Sequence, residues 1–275
     1  QNVRGLRYSE SEARLALERG EVIASIKIIG GKSYIEVDGS NPTKAKAALA
    51  ALEQAKIDAV MSRPDLKSEV TYVYGKEDLP TFDNFGAALI GFIVFFFVFL
   101  VSGISFLQER NSGTLEKLLS TPVRRWEIVV GYVLGFGVFT VLQSFLISWY
   151  CVYVLKVMMI GSFGLVLLIT LLTAMIALTL GMLMSTLANN EFQMIQFIPL
   201  IVVPQIFFCG LFDLPAGIEV IGYIMPLYYI ADALTEVMIK GSGLEVIAWD
   251  LGIILAYSLL FMTLNTLLLK KYRRI

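Results

Sequence analysis

From Phe85 onward the chain is a succession of long apolar runs separated by short polar ones, whereas its first 81 residues change character at much shorter intervals. Five of the runs approach the ~20 residues that a helix needs to cross ~30 Å of hydrocarbon at ~1.5 Å per residue. They are Phe85–Leu107, Ile128–Leu155, Phe163–Leu187, Phe192–Leu211 and Trp249–Leu269. Each has to be helical, because hydrocarbon offers no water to an unpaired backbone group. The predicted fold class is a membrane all-α body over residues 82–275, preceded by a small α/β domain over residues 1–81.

In that small domain, Ser9 followed by Glu12 is a capping-box pattern for a helix through Leu15 and Leu17 that can end at Gly20. Val22–Ile28 and Ser33–Val37 read as strands joined by a Gly30-Gly31 hairpin turn. Asn41-Pro42 supplies an N-cap and first helical position for an Ala-rich helix from Thr43 to about Ser62, and Ser68–Tyr74 reads as another strand. Gly31-Lys32-Ser33 matches the end of a phosphate-binding loop, but that loop needs a glycine where Ile26 stands, so the hairpin turn is the reading.

Composition narrows the chemistry. The chain is 57% hydrophobic and 16% charged, where soluble domains carry about 25% charged residues. Its net charge of −1 resolves into 12 basic and 12 acidic residues in the first 81 positions and 10 against 11 in the remainder. Neither a basic nucleic-acid binder nor an acidic tail fits. The absence of histidine removes the usual general base, the Ser-His and Cys-His nucleophile pairs and the commonest zinc ligand. Cys151 and Cys209 show no metal-ligand spacing and read as small hydrophobes. The chain is therefore not expected to be an enzyme or to hold a metal or cofactor.

Lys and Arg in the short connections set the orientation, since cytoplasmic loops retain positive charge. Arg110, Lys117, Arg124 and Arg125 lie between the first two runs, and Lys270, Lys271, Arg273 and Arg274 follow the fifth, whereas the alternate loops hold Lys156 and Lys240. This predicts a multi-pass protein of the cell membrane with residues 1–81 outside and the C-terminus cytoplasmic. A polar head that precedes its spans still has to be translocated, which predicts a sixth, leading span in the intact protein.

Residues 108–127 form the most informative connection. A helix begun near Ser112 puts Leu115, Leu118 and Leu119 on one face, with Glu116 and Lys117 away from it, and stops before Pro122. Its periodicity suits equally a helix lying on lipid and one docking into a partner's groove. Residues 211–248 contain an apolar stretch, Ile218–Ile230, that is too short to span and is interrupted by Pro226. A re-entrant or interfacial pair of short helices with Asp213, Asp232 and Glu236 on its wet side fits it, as does an ordinary amphipathic outer loop. Within the runs, Gln143, Gln205 and Asn265 are polar groups that serve either helix packing or a substrate pathway. No Asp, Glu, Lys or Arg is expected deep in a span, which disfavours an ion-driven transporter. Gly131 and Gly135, with Gly137, have the spacing of a close helix approach, inside the subunit or across a dimer seam.

The run Glu109-Arg110-x-x-Gly113-Thr114-Leu115-Glu116-x-Leu118-Leu119-x-Thr121-Pro122 resembles the E-x-x-x-G-T-L-E-x-L-L-x-T-P segment of permeases of type-two ABC exporters. Two further stretches are similar to that family. One is Cys209-Gly210-Leu211-Phe212 through Pro215, then Pro226-Leu227-Tyr228-Tyr229 and Ala233-Leu234 to Gly241, like its outer re-entrant loop. The other is Val37-Asp38-Gly39-Ser40-Asn41, like a turn in the external domain of its larger members. The chain departs from the family in lacking its first span and in the shorter stretch between Ile28 and Val37.

The resemblance implies a homodimeric half-transporter whose subunits each bind a cytoplasmic ATPase, with ATP and Mg²⁺ held on that partner, since this chain carries no complete phosphate-binding loop. It implies that the helix bearing Leu115, Leu118 and Leu119 docks its leucine face into the ATPase. Its expected cargo is amphipathic or hydrophobic. A different class of function, a membrane receptor or scaffold with a ligand-binding outer domain, stays open on the residues alone.

Overall fold

The computed structural model describes residues 8–19, 21–29, 32–38, 45, 48–52, 68–74, 81–209 and 219–272. Gly20, the Gly30-Gly31 turn, Gly39 to Pro42, most of the expected Thr43–Ser62 helix, Gly210 to Pro215, Arg273 and Arg274 lie outside the described residues. The chain divides into two compact units, Gln1–Asn84 and Phe85–Ile275.

In the first unit, helix α1 (Glu10–Glu18) starts where Ser9 donates to Glu12 Oε2 from its backbone N–H at 3.1 Å and from its Oγ at 2.7 Å. Those two bonds hold the Glu12 carboxyl below its ordinary pKa. Strands β1 (Ala24–Ile29) and β2 (Lys32–Asp38) pair antiparallel, and Ile29 opposite Lys32 leaves two positions for the turn. Strand β3 (Ser68–Tyr74) joins the other edge of β2 in parallel, giving the order β1-β2-β3. A parallel pair cannot be closed by a tight turn and needs a crossover, which accounts for the long segment between β2 and β3. The helical residues 48–52 lie in that segment, and Leu49 and Leu52 cover the buried Ile35, Val37 and Ala45.

The second unit is helical. It comprises α2 (Thr81–Asn111), α3 (Thr114–Leu119), α4 (Arg125–Trp149) with a π-helical extension over Tyr150–Val154, and α5 (Phe163–Ser185). Then follow α6 (Glu191–Phe197), a π segment (Ile198–Val202), α7 (Val203–Phe208), α8 (Glu219–Gly222), α9 (Pro226–Met238) and α10 (Leu244–Tyr272). Among the described residues, five stretches are long and apolar enough to span: Phe85–Asn111, Arg125–Val154, Phe163–Ser185, Glu191–Phe208 and Leu244–Leu269, spans 1 to 5.

Spans 1 and 3 are the most enclosed. In their most apolar windows 56% of residues are buried, against 22% in span 2 and 17% in spans 4 and 5. Their backbones meet at Gly181, where an added Cβ would clash with Ser102 Oγ and lie 2.6 Å from the Phe99 carbonyl oxygen. Span 4 is irregular because Pro199 and Pro204 have no N–H to donate, and its π segment lies between the two α-helical halves.

Span 5 begins at Leu244, five positions ahead of the Trp249 expected from the apolar run. Asp250, the second residue of the expected run, is therefore the seventh of the observed span and is 8% exposed. Leu244, Val246 and Ile247 extend the apolar pattern ahead of Trp249, around the single charge of Glu245.

Candidate functional site

The connection between spans 1 and 2 is shaped by one glycine. Gly113 has φ +78°, a left-handed conformation that costs a side-chain-bearing residue energy, and it separates the end of α2 from the six-residue α3. Ser120 Oγ donates to the Lys117 carbonyl and Thr121 Oγ1 to that of Leu118, both at 2.6 Å, closing α3 ahead of Pro122. The Arg124 N–H donates to Glu127 Oε2 at 2.8 Å, which opens α4.

The leucine face of α3 is not available to a partner, contrary to the sequence expectation. Leu115 and Leu119, 1% and 6% exposed, sit in the core of the same chain, and the half-buried Leu118 packs against that core. The periodicity of the face identified burial but carried no record of which chain does the burying. What faces outward is Thr114, Glu116, Lys117, the run Ser120–Arg124 and Trp126, the last 51% exposed. Thr114 Oγ1 and Ser112 Oγ share a hydrogen bond at 3.0 Å, and Glu109 is half-buried.

Arg110 is also turned inward. Its Nη1 donates to the Ser185 carbonyl at 2.7 Å and its Nη2 to the Ala188 carbonyl, at the end of span 3. Next to it, Gln108 Nε2 donates to Glu191 Oε1 at 2.8 Å, at the start of span 4. Sequence spacing gave no signal for either long-range bond.

The polar groups of the spans separate into distinct cases. Asn265 Nδ2 donates to the carbonyls of Thr179 and Phe261, each at 2.8 Å, so this buried amide joins span 5 to span 3 rather than lining a pathway. Gln205 is buried, with Nε2 donating to the Ile201 carbonyl at 3.1 Å and Oε1 without a hydrogen-bond partner. Gln143 is half-buried and its Nε2 is enclosed without a partner, as is Oγ of the adjacent Ser144. No hydrogen bond joins any of Gln143, Gln205 and Asn265 to another of them.

At the other end of the bundle, α9 is buried along Leu227, Ile230, Ala231, Leu234 and Val237, and Pro226 starts it at a position where a missing N–H costs nothing. A Cβ at Gly91 of span 1 would lie 2.7 Å from Ile230, so the two helices touch. Tyr228 has ring neighbours in Tyr223 and Tyr229, at 5.0 and 5.4 Å, and Tyr229 Oη donates to the Tyr223 carbonyl at 2.9 Å. Burial pushes the Tyr228 phenol above its ordinary pKa. Tyr257 Oη of span 5 donates to the Ile224 carbonyl at 2.7 Å. Glu236 accepts from Lys240 Nζ at 2.6 Å and from Ser242 Oγ at 2.7 Å. Asp232 keeps accessible surface, yet desolvation by the surrounding protein, reinforced by Glu236 and opposed by Lys240, raises its pKa. Cys151 and Cys209 are buried free thiols. Among the described residues no cluster of acidic or thiol side chains could hold a metal ion.

Residues 8–267 match the ABC-2 family transporter proteins. The chain belongs to that family. It is 26% identical over 195 residues to ABC transporter G family member 20 of Dictyostelium discoideum, covering 70% of this chain and 27% of that protein. The probable multidrug ABC transporter permease YbhR of Escherichia coli K12 is 22% identical over 176 residues, covering 62% and 48%. YbhS of the same strain, also a probable multidrug ABC transporter permease, is 26% identical over 178 residues, covering 62% and 47%. The matched stretch is under half the length of each of these relatives. As an ABC-2 permease, the chain is a multi-pass membrane transporter subunit, which matches the five apolar helices among its described residues.

Proposed function

We propose that this chain is the membrane half of an ATP-driven exporter, working as a pair of copies that each engage a separate ABC ATPase and moving an amphipathic or hydrophobic substrate outward. The observation that carries the reading is the family match over residues 8–267, which includes the exposed connection between spans 1 and 2. That connection is the docking surface for the ATPase. Glu116, Lys117, Arg124 and Trp126 meet the partner, while Leu115 and Leu119 anchor α3 to the spans, so that a movement of the ATPase is passed on instead of being lost in a loose loop. ATP and Mg²⁺ bind to the partner.

The lysine and arginine bias puts this end of the bundle in the cytoplasm and residues 1–81 outside, in the cell membrane. The second copy lies against span 2, where Gly131, Gly135 and Gly137 have no neighbour within 4 Å of an added Cβ. Gln143 and Gln205, each with an unsatisfied amide atom, are the pathway contacts, and α9 with Tyr228 and Tyr229 roofs the outer end.

Co-expression of the chain with candidate ABC ATPases, followed by purification in detergent and measurement of ATP turnover, tests this reading. The unsubstituted chain should retain one ATPase and Glu116→Lys should lose it, with the melting temperature of the chain itself unchanged. Retention of no ATPase by the unsubstituted chain, or equal retention by Glu116→Lys, would overturn the docking assignment.

A further inference from the structure

Arg110 lies within the stretch assigned above to docking, yet its guanidinium serves the chain itself. The carbonyls of Ser185 and Ala188 that it caps belong to the last turn of α5 and the residues after it, where a helix leaves acceptors without intrahelical donors. A charged donor fits that end of a helix both as a hydrogen-bonding group and by the sign of the helix dipole. Beside it, the bond from Gln108 to Glu191 reaches the first residue of α6. One level of attachment between span 1 and spans 3 and 4 is therefore polar.

A second level is steric. A Cβ at Gly103 would overlap the Met194 side chain of α6 and lie 3.3 Å from the Gly181 carbonyl oxygen of α5. Gly103 precedes Arg110 by seven residues, or ~10 Å along a helix. A helix held at one level can pivot about it. Held at two levels ~10 Å apart, it turns only if one attachment breaks. Beyond Arg110 the chain continues through Asn111 and Gly113 into α3, whose Leu115 and Leu119 are buried in the core of the same unit.

We propose that Arg110, assisted by Gln108, is a positioning residue that makes α3 and the turn between spans 3 and 4 move as one body. A push on the exposed strip then reaches spans 3 and 4 directly and is not absorbed by bending near Gly113. The source of the push rests on the transport reading; the mechanical tie does not.

Pulsed electron paramagnetic resonance between spin labels at Thr114→Cys and Leu187→Cys, both exposed positions, measures the tie. The full chain is used, with Cys151 and Cys209 replaced by alanine, in lipid nanodiscs with its ATPase, without nucleotide and then with ATP and vanadate. The expected result is a single narrow distance that is the same in both states. Arg110→Ala should lose that narrow distance and shift with nucleotide. Arg110→Lys, able to reach one carbonyl, should be intermediate. The melting temperature should fall, as two interhelical bonds are lost, while the amount of ATPase retained, read on the same samples, should stay at its starting value, which a general loss of structure would not allow. If Arg110→Ala does not fold, Gln108→Leu should give a smaller broadening of the same kind. A distance that stays narrow and unmoved in Arg110→Ala, or in Gln108→Leu where the first variant is lost, overturns the proposal. Failure of the unsubstituted chain to hold an ATPase would remove the transport reading, and the nucleotide-free distances would still decide the tie.

Discussion

Spans 1 and 3 and spans 2, 4 and 5 are all long and apolar enough to cross a membrane, and they do opposite things with their surfaces. The first two are fitted to their neighbours at glycines: Gly86 to Val157, Gly91 to Ile230, Gly103 to Met194 and Gly181 to Ser102. Span 2 also carries glycines, but Gly131, Gly135 and Gly137 face open space. In lipid there is no hydrophobic force that draws one apolar helix to another, so close approach and a few hydrogen bonds have to do it. The difference teaches that a small residue in a span is informative only together with what lies opposite it.

Breaking the tight crossing should have the largest effect. Gly181→Leu drives a side chain into Ser102 Oγ and the Phe99 backbone, which cannot retreat, and should cost at least the ~3 kcal/mol that severe overpacking reaches. Loss of the monodisperse peak in gel filtration and a lower melting temperature in detergent would register it.

A smaller loss is expected from Asn265→Leu, which removes the bond from span 5 to the Thr179 carbonyl while keeping volume. Interhelical hydrogen bonds in membranes are worth ~0.6 to 2 kcal/mol, and the melting temperature should fall accordingly.

A weaker, pH-dependent effect belongs to Asp232. Its pKa is raised by burial and by Glu236, against the opposing Lys240, so its stabilising form is the protonated one. That contribution is complete below the unfolded value of about 4 and is lost as pH rises through the raised folded value. Asp232→Asn should flatten this fall, seen as a melting temperature less dependent on pH between acid and neutral solution.

The smallest effect on the chain itself is expected at the exposed face. A Cβ at Gly135 meets nothing within 4 Å, and Gly135→Leu should change the stability of the single chain by no more than about 0.5 kcal/mol. A loss as large as that at Gly181 would erase the contrast between the two groups of spans.

The five spans were legible in the sequence to within a few residues, apart from the start of span 5, because hydrocarbon thickness imposes a length that few other structures need. What lies against each span was not legible. Lipid-facing and helix-facing positions are both apolar, so the pattern that separates inside from outside in a soluble helix is missing here. The same ambiguity affected α3, whose leucine face was correctly read as buried but attributed to a partner. Arg110 was read as a charge of the cytoplasmic connection, and its inward bonds were not legible because its acceptors are backbone carbonyls 75 and 78 positions away, which any residue type supplies. In the first unit, the capping pattern at Ser9 and the hairpin were readable because their partners lie within a few residues.

The π segment of span 4 has a consequence for register. A turn closed by i→i+5 bonds takes up one residue more than an α-turn, which rotates everything beyond it by about 100° relative to an unbroken helix. Met194 below the segment, Val202 at its end and Gln205 above it are buried, although an even 3.6-residue period running from Met194 would favour Ile201 over Val202. The burial of Val202 is thus set by the extra residue in the turn. Deleting one residue between Ile198 and Val202 should let the segment close as an α-helix and leave Val202 and Gln205 facing as they do now, whereas straightening without a deletion would turn both by about 100°.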